Sequence, residues 1–143
     1  MGISPFSLEH KWSIYWERLR SNFRADPRVN IHSMRERKAL EALSAVGVIG
    51  EKQLSRLFSL SSREINNMKR TFKIMKHKLK RGESYEIPIY TLGIRGAMAL
   101  KLDAYESNYW TTYTIEDVMK RLLFFQLYHY FPKLKLLPAP SPF

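Results

Sequence analysis

The stretch from Ser61 to Arg81 constrains this chain more than any other. Ser61 and Glu64 have the spacing of a capping box, in which the hydroxyl and the carboxylate each satisfy a backbone amide that a helix start leaves unpaired. Ile65, Met68, Phe72 and Met75 then recur at +3, +4 and +3, one stripe of a helix. At about 100° per residue, Arg63, Asn67 and Arg70 fall opposite that stripe, with Asn66 and Lys73 beside them. The spacing predicts a helix over about 61–77 with one face for a core. The other face is built of Arg, Asn and Lys, the side chains that reach base edges and phosphates in a DNA groove.

Charge points the same way. Residues 61–82 hold eight Lys or Arg against one Glu, and so carry +7 of the chain's net +11. A pI of about 10 calls for a polyanionic partner, either nucleic acid or an anionic membrane surface. A solvated basic face is the bland alternative for an isolated helix. The flanking elements argue against it. Upstream, Ser33 or a neighbour opens a helix with Met34, Ala39, Leu40, Leu43 and Val46 buried and Gly47 as its breaker. A short apolar run, Val48-Ile49, and a short helix containing Leu54, Leu57 and Phe58 follow. Downstream, Lys78 to Lys80, a turn around Gly82 and the strand Tyr85 to Leu92 read as a basic β-hairpin. Long helix, short helix, turn and basic helix make a helix-turn-helix pattern, and a hairpin after it makes a wing.

The run Ile89-Tyr90-Thr91-Leu92-Gly93-Ile94-Arg95-Gly96-Ala97-Met98-Ala99-Leu100 resembles the end of the wing in winged-helix regulators. Those typically read tyrosine, any residue, leucine, threonine, two variable residues and glycine, then a short helix. Tyr90, Leu92, Gly96 and Leu100 keep their places, whereas Gly93 stands where the threonine usually sits. More weakly, the chain is similar to the N-terminal part of the replication-relaxation proteins of plasmids and other mobile elements. The resemblance covers about Ile31 to Leu102. It implies a compact three-helix unit with a two- or three-stranded wing that binds duplex DNA. On this chain, Ser61 to His77 would lie in the major groove and Lys78 to Ser84 on the backbone or minor groove.

The expected fold is mainly α with a small β-hairpin wing and flanking N- and C-terminal helices. Residues 1–30 form a helical arm, opened by Ser7 and carrying Leu8, Trp12, Tyr15, Trp16, Leu19 and Phe23 on one apolar side. Residues 31–102 form the winged-helix domain. Residues 103–131 hold an aromatic connector and a helix started by Thr114 and Asp117. Residues 132–143 are a Pro-rich tail, whose apolar end would suit the front piece of a longer protein. The terminal helices are too apolar to be covered by one small domain. Trp12, Trp16, Leu122, Phe125 and Tyr130 are therefore assigned to dimerisation across a two-fold axis, with a purely intrachain helical layer as the alternative.

No catalytic constellation emerges. His10, His32, His77 and His129 are scattered singly, so no metal site is assigned, and no phosphate loop or nucleophile elbow occurs. No enzyme activity, cofactor or small-molecule ligand is expected. There is no cysteine, no secretory signal and no apolar run near the ~20 residues of a membrane span, which fits a cytoplasmic protein. The leading expectation is a homodimeric, sequence-specific binder of double-stranded DNA, either a transcriptional regulator or a plasmid or phage replication or partition factor. Arg63, Asn66, Asn67 and Arg70 would read bases. Ser62, Lys69, Lys73, Lys76, Lys78, Lys80 and Arg81 would hold phosphates. A protein–protein adaptor is the alternative, and an anionic-membrane binder the third class.

Overall fold

The computed structural model describes residues 12–24, 26–82 and 85–130. The centre of the protein is a four-stranded antiparallel sheet in the order β1-β3-β4-β2, made of β1 (Trp12–Tyr15), β2 (Val48–Gly50), β3 (Ile74–Arg81) and β4 (Tyr85–Leu92). Among the described residues five α-helices surround it: α1 (Met34–Val46), α2 (Glu51–Phe58), α3 (Ser62–Arg70), α4 (Ile94–Ala99) and α5 (Ile115–Tyr130). A 3-10 turn spans Tyr109–Thr112. This corrects the mainly-α expectation. The sheet draws strands from three separate stretches of sequence and is an α/β arrangement, larger than a hairpin wing.

Two misread periods account for the difference. Trp12, Ile14 and Trp16 alternate with Ser13, Tyr15 and Glu17, so the first group also fits one face of a strand. Pairing from Trp12↔Arg81 to Tyr15↔Lys78 satisfies the backbone edge of β3, which an N-terminal helix would have left bare. Among residues 12–24 there is thus a strand followed by irregular chain with a turn at Ser21-Asn22, not a helix, and residues 1–11 of the expected arm lie outside the described residues.

The second misreading concerns the end of α3. Its start is as the spacing predicts: Ser61 N–H donates to Glu64 Oε1 and Glu64 N–H to Ser61 Oγ, both at 3.1 Å. Its end is Arg70, not His77. Phe72 takes a left-handed φ of 58°, its N–H donates to the Lys69 carbonyl, and Lys73 N–H donates to the Met68 carbonyl. Those two bonds close the last turn in the manner of a glycine-type C-cap. The Phe72 ring packs 4.7 Å from that of Phe23, a contact that helps hold this backbone. From Ile74 the period is two. Gly93 lies against this corner. Its N–H donates to the Lys73 carbonyl, and a Cβ there would overlap the Phe72 carbonyl oxygen. The threonine of the winged-helix pattern has no room.

The sheet separates two apolar layers. Above it, Leu40, Leu43, Leu54, Ile65 and Met68 of α1–α3 pack on Ile49, Ile74, Tyr90 and Leu92. Below it, Val118 of α5 meets Val48, Leu79 and Ile89, with Trp12, Ile14, Trp16, Tyr113 and Leu122 around them. Helix α5 begins where Thr114 and Asp117 cap each other, Thr114 N–H to Asp117 Oδ2 at 2.9 Å and Asp117 N–H to Thr114 Oγ1 at 3.1 Å. The Pro-rich stretch 132–143 lies outside the described residues.

Candidate nucleic-acid interface

Strand β3 alternates between two environments. Met75, His77 and Leu79 point down into the buried layer, while Lys76, Lys78 and Lys80 point up. Residues opposite each other in register share a face. The lysine row is therefore flanked by Tyr90, Pro88 and Glu86 on β4 and by Tyr15 and Ser13 on β1. Helices α1–α3 cover this face near Ile74 and Ile49, and the half that carries Lys78 and Tyr15 is exposed.

Helix α3 stands at the border of that open half. Its stripe Ser62, Asn66 and Lys69 joins Lys76 and Tyr90 of the sheet and Glu51, Lys52 and Ser55 of α2 around a cleft of about 370 Å³. Tyr90 Oη donates to Glu51 Oε2 at 2.7 Å, which occupies the one carboxylate in the cleft. Burial, with that bond and the glutamate's charge behind it, holds the tyrosine hydroxyl well above its ordinary pKa, so it stays a neutral donor. Among the described residues none of Lys52, Lys69 and Lys76 is in a salt bridge. Three cations against one carboxylate, with the hydroxyls of Ser55, Ser62 and Tyr90, thus give a concave surface of net positive charge, an arrangement that favours an anion such as a backbone phosphate.

The neighbouring stripe of α3 turns away from the sheet. Arg63, Asn67 and Arg70 line a second cleft, of about 400 Å³, with His32, Ser33 and Glu36. Arg63 and Arg70 are exposed, Asn67 is half-buried, and Arg70 Nη2 donates to Asn67 Oδ1 at 3.5 Å. Asn66 lines both clefts. The four residues expected to read bases therefore share one helix but look in two directions.

Of the expected phosphate ligands, Ser62, Lys69, Lys76 and Lys78 lie in or beside the first cleft; Ser62 and Lys78 are exposed, and Lys69 and Lys76 are half-buried. Lys80 is tied to Glu86 at 3.4 Å and lies over the Tyr15 ring at 4.6 Å from its centroid. Arg81 is exposed but shares the lower face with Trp12 and Tyr85. Lys73 is a correction. Only 2% exposed, it donates from Nζ to Glu36 Oε1 at 2.9 Å and to the Asn30 carbonyl, so it braces α1 against α3 and binds no external phosphate. The turn at Phe72 is what swings it inward.

Four of the five residues assigned to dimerisation make contacts within the chain. Phe125 is fully buried in the upper layer, and Leu122 packs in the lower one. Trp16 sits edge-on to His77, and Trp12 lies near Tyr85. Tyr130 belongs to α5, and its side chain lies outside the described residues. Among its described side chains, α5 exposes the large apolar residues Leu123 and Leu127, at 58% and 47%.

His77 is the main titratable group of the buried layer. Its Nδ1 accepts from Glu17 N–H at 2.9 Å, which leaves the proton on Nε2, 2.6 Å from Thr91 Oγ1. Trp16 and Trp110 flank the ring, and burial pushes its pKa down to about 3. It is a neutral structural residue that fixes the segment after β1. Trp110 Nε1 completes the anchor by donating to the Glu17 carbonyl at 2.8 Å. Among the described residues no group of three His, Asp or Glu is placed to hold a metal, and no helix is long and apolar enough to cross a membrane.

Sequence reasoning missed Lys52, which lines the first cleft, and misplaced Tyr15, which lies on the open sheet face outside that cleft. Lys52 carried no signal beyond its charge near the start of α2. Tyr15 was counted on the apolar side of a helix, although Trp12-Ser13-Ile14-Tyr15-Trp16 alternates well enough to have set it opposite Ile14. Comparison with known proteins returns nothing: no family model matches the chain, and neither does any curated protein or solved structure. The resemblance to winged-helix regulators therefore rests on the residues quoted above.

Proposed function

We propose that this protein binds double-stranded DNA in a sequence-specific manner, with α3 in the major groove and the β3–β4 hairpin along the backbone or minor groove. The observation that carries the reading is the shared cleft, in which Ser62, Asn66 and Lys69 of α3 meet Lys76 at the head of the lysine row. A helix and a strand that present their free cations to one concavity suit a curved polyanion better than a flat bilayer. Arg63 and Arg70, exposed on the adjacent stripe, are the base readers, and Lys69, Lys76, Lys78 and Lys80 hold the backbone. The biological setting we infer is cytoplasmic, as a transcriptional regulator or a replication or partition factor of a plasmid or phage.

A homodimer fits this role, and its surface is the exposed Leu123 and Leu127 side of α5. Its site would be a palindrome with half-sites roughly 34–36 Å apart; a monomer by equilibrium sedimentation at concentrations that saturate DNA would discard it. The test of the main reading is fluorescence anisotropy with a random duplex at several salt concentrations. The expected result is affinity that falls by roughly 0.9 log units per phosphate contact for each log unit of salt. No binding at low salt would leave the protein–protein adaptor as the better reading.

A further inference from the structure

The open half of the upper sheet face carries one aromatic side chain that the proposed duplex contacts do not use. Tyr15 is 63% exposed on the outermost strand, directly across from Lys78. The Lys80 ammonium lies 4.6 Å from its ring centroid and is itself held by Glu86. Exposed tyrosine on an edge strand has an ordinary explanation in strand propensity. Three further features make this one a built surface. Its strand is locked in register along β3 from Trp12 to Tyr15. The residue that follows it is wedged against His77, and the next one bonds to that imidazole through its N–H. The ring also lies on the same sheet face as Lys76, which enters the α3 cleft, so aromatic and cationic groups form one continuous surface.

From this placement we propose that Tyr15, with Lys78 and Lys80, is a stacking site for an unpaired nucleobase, so that the protein prefers DNA in which a single strand continues from the duplex held by α3. The inference rests on the duplex-binding reading. Bases inside a duplex offer proteins only their edges, whereas an unpaired base offers a whole ring face. An exposed tyrosine offers the matching ring, and Lys78 and Lys80, on the same sheet face of neighbouring β3, take the phosphates of the same nucleic-acid strand. The cation over the tyrosine ring keeps it oriented without burying it.

The test measures anisotropy with three probes: a blunt duplex, the same duplex with a single-stranded overhang, and the single strand alone. Wild-type protein is expected to prefer the overhang. Tyr15→Thr keeps a good strand former in β1 and should lose about tenfold on the overhang probe while holding the blunt duplex unchanged. Tyr15→Phe should retain the preference, since the ring and not the hydroxyl does the stacking. If the wild-type protein binds blunt and overhanging duplexes equally, or Tyr15→Thr keeps the preference, the stacking site is overturned and duplex binding stands. If the wild-type protein binds none of the three probes, both readings fall.

Discussion

The two sides of β3 put neighbouring residues of one strand to opposite uses. Downward, His77 is stripped of water among Trp16, Trp110 and Thr91 and gives up its charge. Upward, Lys78 is exposed and Lys76 keeps part of its side chain in solvent. Lys73, just before the strand, is the exception, a cation taken inside and matched with Glu36. The comparison teaches that the count of basic residues in this stretch overstates the binding surface. A buried cation must be paired or neutralised, because desolvation costs more than any distant partner returns. Only the cations left in water are available to a ligand.

The largest expected effect comes from the cation inside. Glu36→Gln should destabilise the fold by about 3–5 kcal/mol in denaturant unfolding, because it leaves Lys73 buried without its carboxylate. Replacing the pair together, Glu36→Leu with Lys73→Met, should recover much of that loss. A Glu36→Gln protein of unchanged stability but weakened DNA binding would put Lys73 back among the ligands and break the comparison.

The buried face predicts a pH dependence. His77 is protonated in the unfolded chain below its ordinary pKa of 6.5 and resists protonation in the folded protein until about 3. The stability it contributes is complete above pH 6.5 and is lost as pH falls from there toward 3. His77→Gln can accept from Glu17 N–H and donate to Thr91, and should flatten the stability profile between pH 6.5 and 4.5, above most carboxylate titration. A variant as acid-sensitive as the wild type across that interval would remove the imidazole as the cause.

The open face predicts effects on affinity alone. Arg70→Ala should cost about 1–3 kcal/mol on a selected site and relax one base position. Lys78→Gln should weaken every duplex alike and lower the salt slope by about 0.9. Both proteins should unfold at the wild-type denaturant concentration. Equal losses for the two variants on every sequence would take base reading away from α3.

Much of this site was legible because its signals are local. The Ser61–Glu64 box sets the start of α3, Gly47 ends α1 at a φ of 103°, and Thr114 with Asp117 opens α5. Each involves residues a few positions apart, whose geometry sequence spacing fixes directly. The hairpin after α3 was legible too, although its first strand starts inside the predicted helix. The apolar residues Ile65, Met68, Phe72 and Met75 serve a helix, a turn and a strand in succession, and their intervals cannot reveal the change.

By itself, then, the sequence determined that a capped basic helix precedes a basic hairpin, and that positive charge gathers there. Only the tertiary structure decided which of those charges face solvent and how wide the sheet beneath them is. Both decisions turn on contacts between distant residues: Trp12 pairs with Arg81, Lys73 reaches Glu36 and Asn30, and Phe72 is held by Phe23 and by the close approach of Gly93. The physical reason is that unpaired strand edges and buried charges must find partners wherever the folded chain brings them, and no local period encodes which partner that will be.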